Sequence, residues 1–355
     1  MIRACCLFFL VLMSVGQEEF LAQTPGDVPR SLAWDVASDP RNAALGGLDA
    51  APLSGDGWSM TVHPCALDSS VERHVYTSYL DYFAGIKAAS VAVPISTSNR
   101  RSSHVGLRFV SWGDFEGASA AGIPTGSFSG GDYILQYGSS WRIDSSWTAG
   151  VTAWGGMRNL AQVNAGVAAL DFAILRRSRS GRGALGLVVS NVGIQEDFSG
   201  VMPEGRLPHN VQLGWSQTFP NAPFTFHLRA QRLETWKLAP EGTYDDTFDP
   251  LTGELIPNDT WIWGDQLFRH LSGGVSLKLG TQLRGYIGYN HQRQKDMAAA
   301  GRTGLNGMSL GFRGQFRSIQ YALGRSVYHF AGASTHLALV LQWPQIRTKT
   351  PVQVP

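Results

Sequence analysis

The sequence predicts an all-β protein, a transmembrane antiparallel β-barrel of about 14 strands with an N-terminal plug or periplasmic segment. Three observations carry that expectation. Segments of about ten residues alternate apolar with small or polar positions, the pattern of strands with one face in lipid and the other in water. Charged residues make up only 16% of the 355, while glycine reaches 41 and aromatics 11%. Something other than a charged surface must cover such a chain. Beyond the N-terminus no uninterrupted apolar run of about 18 residues occurs, which argues against helical spans and leaves strands to cross a bilayer.

Taken in order, residues 1–22 read as a secretory signal peptide. Arg3 precedes an apolar run from Ala4 to Val15, and cleavage after Gly16 or after Ala22 fits the small-residue rule. Cys5 and Cys6 leave with it, so the mature chain keeps Cys65 alone. One thiol closes no internal disulfide, and no CxxC metal spacing occurs. Residues 23–73, punctuated by Pro25, Pro29, Pro40, Pro52 and Pro64, read as a plug or periplasmic cap.

The barrel is expected over 74–343, followed by a tail over 344–355. Strands are expected near 74–84, 85–96, 104–114, 130–142, 146–157, 163–176, 183–193, 208–219, 223–236, 267–279, 282–294, 304–315, 317–328 and 333–343. Phe224, Phe226, Leu228 and Ala230 oppose Thr225, His227, Arg229 and Gln231. Met308, Leu310, Phe312 and Phe316 oppose Ser309, Gly311, Arg313 and Gln315. The segment 271–279 and the last strand, with Leu337, Leu339, Leu341 and Trp343 opposite His336 and Gln342, repeat the pattern. An even count returns both ends to one side. Alternate links are short, at 143–145, 177–182, 220–222, 280–281 and around Phe316, as for periplasmic turns. The others are mostly longer, at 115–129, 194–207, 237–266 and 295–303, as for surface loops. Closure is required because hydrocarbon offers no partner to a free sheet edge. Trp112, Tyr133, Trp141, Trp147, Trp215, Trp236 and Trp343 fit interfacial girdles.

Several constellations bear on chemistry. Inward-facing Arg108, Arg229, Lys278, Arg284 and Arg313 would favour an anionic solute, but pairing with plug carboxylates such as Asp49, Asp56 or Asp68 accounts for them better. The loop 237–266 carries Glu241, Asp245, Asp246, Asp249, Glu254, Asp259 and Asp265 without EF-hand spacing, and reads as an acidic solvated loop before it reads as a calcium cage. Its Tyr244, Phe248, Trp261, Ile262 and Trp263 point to a folded lid or a partner contact. Ser326 with His329 or His336 supplies a nucleophile and a base but no GxSxG elbow and no orienting carboxylate. His63-Pro64-Cys65 reads as a buried plug thiol. The expectation is therefore no enzyme, with no catalytic, cofactor or metal residues. Formal net charge is +2, without the basic stripe that nucleic-acid binding needs.

Leu267-Phe268-Arg269-His270, Gly288-Tyr289-Asn290-His291-Gln292-Arg293 and Gly324-Arg325-Ser326-Val327-Tyr328-His329 are followed by Ala331-Gly332-Ala333. With Ala43-Ala44-Leu45-Gly46-Gly47 and Pro223-Phe224-Thr225-Phe226 through Trp236-Lys237-Leu238, their order and spacing resemble the PorQ-like outer-membrane barrels of the type IX secretion system of Bacteroidota. That family is related to FadL-like barrels. The resemblance implies a non-enzymatic component of the attachment complex, which processes secreted cargo and joins it to lipopolysaccharide. Its implied partners are outer-membrane lipid, a PorZ-like surface protein, a PorU-like sortase and a PorV-like shuttle. The alternative is a FadL-like transporter of hydrophobic solutes, and a lipid-modifying barrel enzyme is a third reading. Two departures stand out. His63-Pro64-Cys65 replaces the Asn-Pro-Ala usual there, and a tail follows Trp343.

Overall fold

The computed structural model describes residues 39–53, 57–67, 71, 73–98, 100–119, 121–160, 163–200, 205–248, 251–258, 260–296, 305–329 and 332–342. The expected signal peptide, Asp56, Asp68, Trp343 and the C-terminal tail lie outside them. The described chain forms two compact units, one holding Pro240–Asn258 and the other holding Ser31–Ala239 with Asp259–Pro355.

The second unit is a closed antiparallel barrel. Its fourteen strands are β1 (His74–Asp81), β2 (Lys87–Thr97), β3 (Arg101–Ala118), β4 (Pro124–Arg142), β5 (Trp147–Leu160), β6 (Val163–Arg177), β7 (Gly183–Asp197), β8 (Asn210–Thr218), β9 (Phe224–Ala230), β10 (Leu271–Lys278), β11 (Leu283–Asn290), β12 (Met308–Phe316), β13 (Ile319–His329) and β14 (Gly332–Gln342). Each pairs with the next, and β1 closes on β14 from His74↔Gln342 to Asp81↔Thr335. A two-residue strand, Gly205–Arg206, adds to β7. Among the described residues no helix is long and apolar enough to cross a membrane.

The alternation places side chains as the period-2 rule requires. Phe226, Leu228, Leu310, Phe312, Leu337, Leu339 and Leu341 are exposed on the outer wall, while His227, Arg229, Ser309 and His336 are buried inside. On β4, Trp141 and Tyr133 both face out; eight residues apart, they span roughly 26 Å of strand, or about 20 Å along the normal at a 40° tilt. The apolar band of such barrels is about 25 Å tall, so the two rings stand near its two edges.

Several boundaries differ from the sequence-based ones. The expected surface loop 115–129 is mostly strand, because β3 and β4 continue as a hairpin paired from Gly113↔Gly130 to Ala118↔Pro124. β2 and β5 do not follow that far, so this arm has both faces exposed. Residues 231–236 leave the sheet, and the first residues of the expected strand 267–279 belong instead to helix α2 (Ile262–His270). The end of the expected strand 282–294 is likewise helix α3 (His291–Asp296). Ion pairs explain these helices: Arg269 binds Asp265 at 2.7 Å within α2 and Asp296 of α3, while His291 reaches Asp265 at 3.1 Å. Asp265 therefore belongs to no solvated acidic loop. The separate unit 240–258 contains a small hairpin, Thr247–Phe248 with Leu255–Ile256, and Asn258 caps it through Asp246 and Thr243.

Candidate functional site

Residues 39–53 and 57–67 occupy the lumen. Asp39 caps helix α1 (Pro40–Ala44) by accepting the Asn42 amide at 2.9 Å, and Pro40 starts the helix where no amide donor is needed. The chain then turns at Gly46 and Gly47, both with positive φ; a Cβ at Gly46 would stand 2.8 Å from the Tyr289 carbonyl oxygen. The wall answers with its own glycines. Cβ atoms at Gly288, Gly311 and Gly324 would meet Leu45, Ala44 and Pro40 at 2.3 to 2.8 Å, so the plug backbone lies directly on β11, β12 and β13.

Polar contacts fix it there. Asp49 pairs with Arg41 at 2.5 Å within the plug and with His227 of β9 at 3.3 Å. Burial alone raises the Asp49 carboxyl, but Arg41 and His227 outweigh it and hold it well below the usual carboxylate range. Ser216 donates to Asp49, and His227 continues to Ser276. Asn290 donates to Gly46, Ser326 to Ala43, and Arg177 to Pro52 and Cys65. Arg313 stacks 4.5 Å from the Trp58 ring centre. Trp58 and Met60 pack on Tyr76, Ala92, Ala322 and Val340.

The expected basic residues divide. Arg108 and Arg229 are buried in the lumen and Arg313 half-buried, whereas Lys278 and Arg284 have inward parity but stand exposed at the short-turn rim, paired across β10 and β11. Of the plug carboxylates, Asp49 pairs with Arg41 and with His227 of the wall, and Arg108 feels the charge of Asp39; Arg229 donates to Ser272 and Gln231. The Ser326 hydroxyl is committed to the Ala43 carbonyl, and on the wall it stands opposite Ser334, not His336. The His329 side chain lies outside the described set. Cys65 is buried, and burial pushes its thiol up to about 12. His63 accepts the Cys65 amide on Nδ1 and donates from Nε2 to Ala50 oxygen, so neither nitrogen is directed at the thiol. Among the described residues no three His, Cys, Asp or Glu side chains are grouped to hold a metal ion.

On the long-loop half, the inner wall of β1–β6 carries a second cluster. Leu80, Ala88, Val110, Ile134, Trp154, Val167 and Ala169 pack with Leu207 of the β7–β8 connection, flanked by Tyr82, Ile86 and Trp112. Trp112 is thus no girdle residue: it points inward, donating to Asp132 at 3.2 Å, under the Arg158 guanidinium that binds Asp132 through two nitrogens at 2.9 Å. The parity it shares with Arg108 was the signal that places it inside. Trp154 donates to Asp171, which also accepts the Asn191 amide at a bulge between β6 and β7. Two indoles are therefore held by buried carboxylates with their rings in an apolar setting. Outside the barrel wall, Trp236, expected at a strand end, lies in the connection after β9. It contacts Trp263, which contacts Trp261, and all three are exposed with Ile262 and Phe268.

No protein-family model and no curated protein matches the chain. Among solved structures it is similar to the Pseudomonas putida toluene transporter TodX, at 13% identity and a TM-score of 0.50 over 87% of this chain and 98% of that one. It is similar to the monoaromatic hydrocarbon channel CymD at 12% identity and a TM-score of 0.50, over 88% and 99%. At such identities the likeness is one of fold alone, that of a closed antiparallel β-barrel.

Proposed function

We propose that this protein is an outer-membrane channel for small hydrophobic solutes. The observation that carries the reading is the apolar cluster around Trp112 and Trp154, which lies on the long-loop half of the inner wall and is made of strand side chains with Leu207, apart from the apolar contacts that seat the plug. Binding sites for apolar ligands combine such a lining with a few fixed polar groups, here Asp132, Arg158 and Asp171. The exposed group Trp236, Trp261, Ile262, Trp263 and Phe268 supplies an apolar collecting surface on the same long-loop side. TodX and CymD, whose fold the chain shares, carry monoaromatic hydrocarbons, which supports the same solute class. In this reading the chain works by binding and passage, without chemistry, after export by its N-terminal signal. The test is uptake of radiolabelled toluene and palmitate by cells whose own hydrophobic-solute channels are deleted. Restored uptake of either, reduced when Val110 and Ile134 are replaced by aspartate, is the expected result; uptake equal to that of empty-vector cells overturns the reading.

A second reading is the docking role in type IX secretion implied by the PorQ-like resemblance, with PorZ-, PorU- and PorV-like partners. It is favoured by the β3–β4 arm, whose strands beyond Ser111 and Gly130 pair, among the described residues, with each other alone, and whose Phe115 and Phe128 rings stack at 5.3 Å. Exposed strand edges and rings are partner-binding features. Deleting 243–262 or the arm tip and measuring co-purification with surface proteins tests it, and unchanged recovery of every partner counts against it.

A further inference from the structure

At the short-turn end one row of outward-facing residues runs in register across four strands. Trp147 of β5 pairs with Arg176 of β6, Arg176 with Leu185 of β7, and Leu185 with Trp215 of β8. All four side chains are exposed. Arg176 is the charge within the row, its guanidinium 5.7 Å from the Trp147 ring centre. On a barrel's outer face a cation is costly at mid-membrane and nearly free of cost near the interface, so the row belongs at headgroup level. Trp147 and Trp215 mark that same level, where amphipathic rings are favoured.

The row and the two adjoining turns enclose a groove of about 810 Å3, lined also by Ser146, Ser178 and Arg179. From Arg142 to Trp147 and from Arg176 to Arg182 the chain carries five arginines, at 142, 176, 177, 179 and 182, against the single Asp144. Arg177 turns inward to the Pro52 and Cys65 carbonyls. Asp144 also lines the groove; it accepts the Ser146 and Trp147 amides at 2.6 and 2.8 Å and feels the charge of Arg179 and Arg176, so one carboxylate stands against the two cations. The outward guanidinium groups of the groove are then Arg176 and Arg179. A cationic mouth above an apolar, tryptophan-flanked floor matches a molecule with an anionic head and hydrocarbon tails.

We propose that this groove binds an anionic phospholipid of the periplasmic leaflet. Arg176 and Arg179 hold its phosphate oxygens through charge-assisted hydrogen bonds, and its acyl chains lie over Leu185 between the rings of Trp147 and Trp215. The site is separate from the solute path and stands or falls without it.

The test is native mass spectrometry of the purified full chain in detergent, with phosphatidylglycerol and phosphatidylcholine of identical acyl chains. Both lipids offer phosphate oxygens, but the choline cation of phosphatidylcholine cancels the net charge that the two guanidiniums meet, so wild type is expected to retain phosphatidylglycerol about tenfold better. The R176Q/R179Q variant is expected to lose that preference, whereas R284Q, elsewhere on the same rim, keeps it. Equal retention of the two lipids by wild type overturns the proposal whether or not the variants fold. So does a preference that survives in a folded R176Q/R179Q barrel, and displacement of the lipid by millimolar inorganic phosphate would reassign the groove to a free anion.

Discussion

Asp49 of the plug and His227 of the wall meet at 3.3 Å across a separation of 178 positions, inside a barrel that buries both. With Arg41 on its other side, Asp49 is the joint between the inserted segment and the sheet. Asp49→Asn removes the anion and leaves the Arg41 guanidinium buried without it, a loss of about 3–5 kcal/mol where one partner of a buried pair is removed. A lower heat-modifiability midpoint on gels and raised ion conductance in planar bilayers are expected. Conductance and midpoint equal to wild type would mean that other contacts hold the plug.

His63 gives the plug a defined acid sensitivity. Its ring is buried, which lowers its pKa from 6.5 to about 4. The unfolded imidazole takes up a proton near 6.5 and the native one only near 4, so between those values the unfolded state binds more protons and stability rises with pH. The full contribution is present above 6.5, and about 3 kcal/mol is lost by pH 4. His63→Gln is expected to flatten the urea midpoint across that window. Asp49 moves oppositely in origin but adds the same sense at lower pH: its folded pKa is depressed, so its stabilisation is lost only below the ordinary carboxylate range.

Cys65, buried with its thiol pushed up to about 12, is expected to resist maleimide at pH 8 in the folded barrel and to react fully once boiled in detergent. Mass spectrometry of the mature chain after labelling reads the difference. Rapid labelling of the folded protein would place the thiol at an accessible surface.

The close approach of plug to wall is open to a paired test. Gly288→Ala puts a methyl group 2.3 Å from the Leu45 carbonyl carbon, while Gly285→Ala on the same strand meets nothing nearer than the Leu279 side chain at 3.4 Å. The first is expected to cost about 1–3 kcal/mol or displace the plug, the second far less. Equal midpoints for the two variants would show that the backbone contact at Gly288 relaxes without cost.

Much of the wall was legible because alternation is a local property. A residue's face follows from parity alone, which placed His227 and Arg229 inside and Phe226 and Leu228 outside before any fold was known. The errors fell where parity says nothing or was not applied. Residue type points Trp112 to a girdle, whereas the parity it shares with Arg108 puts it inside. The helices α2 and α3 were absorbed into strands, because the ion pairs that stabilise them join Asp265, Arg269 and Asp296 across two different connections.

By itself the sequence determined the barrel: fourteen two-faced segments, short links alternating with long ones, and an exterior too apolar for water. The tertiary structure alone decided what fills that barrel and where its outer wall is charged. The Asp49 to His227 contact, the glycine bed under α1 and the row from Trp147 to Trp215 each join residues from separate strands or from plug and wall. Such contacts depend on register and closure, which bring distant positions together, and no local periodicity encodes which of them will meet.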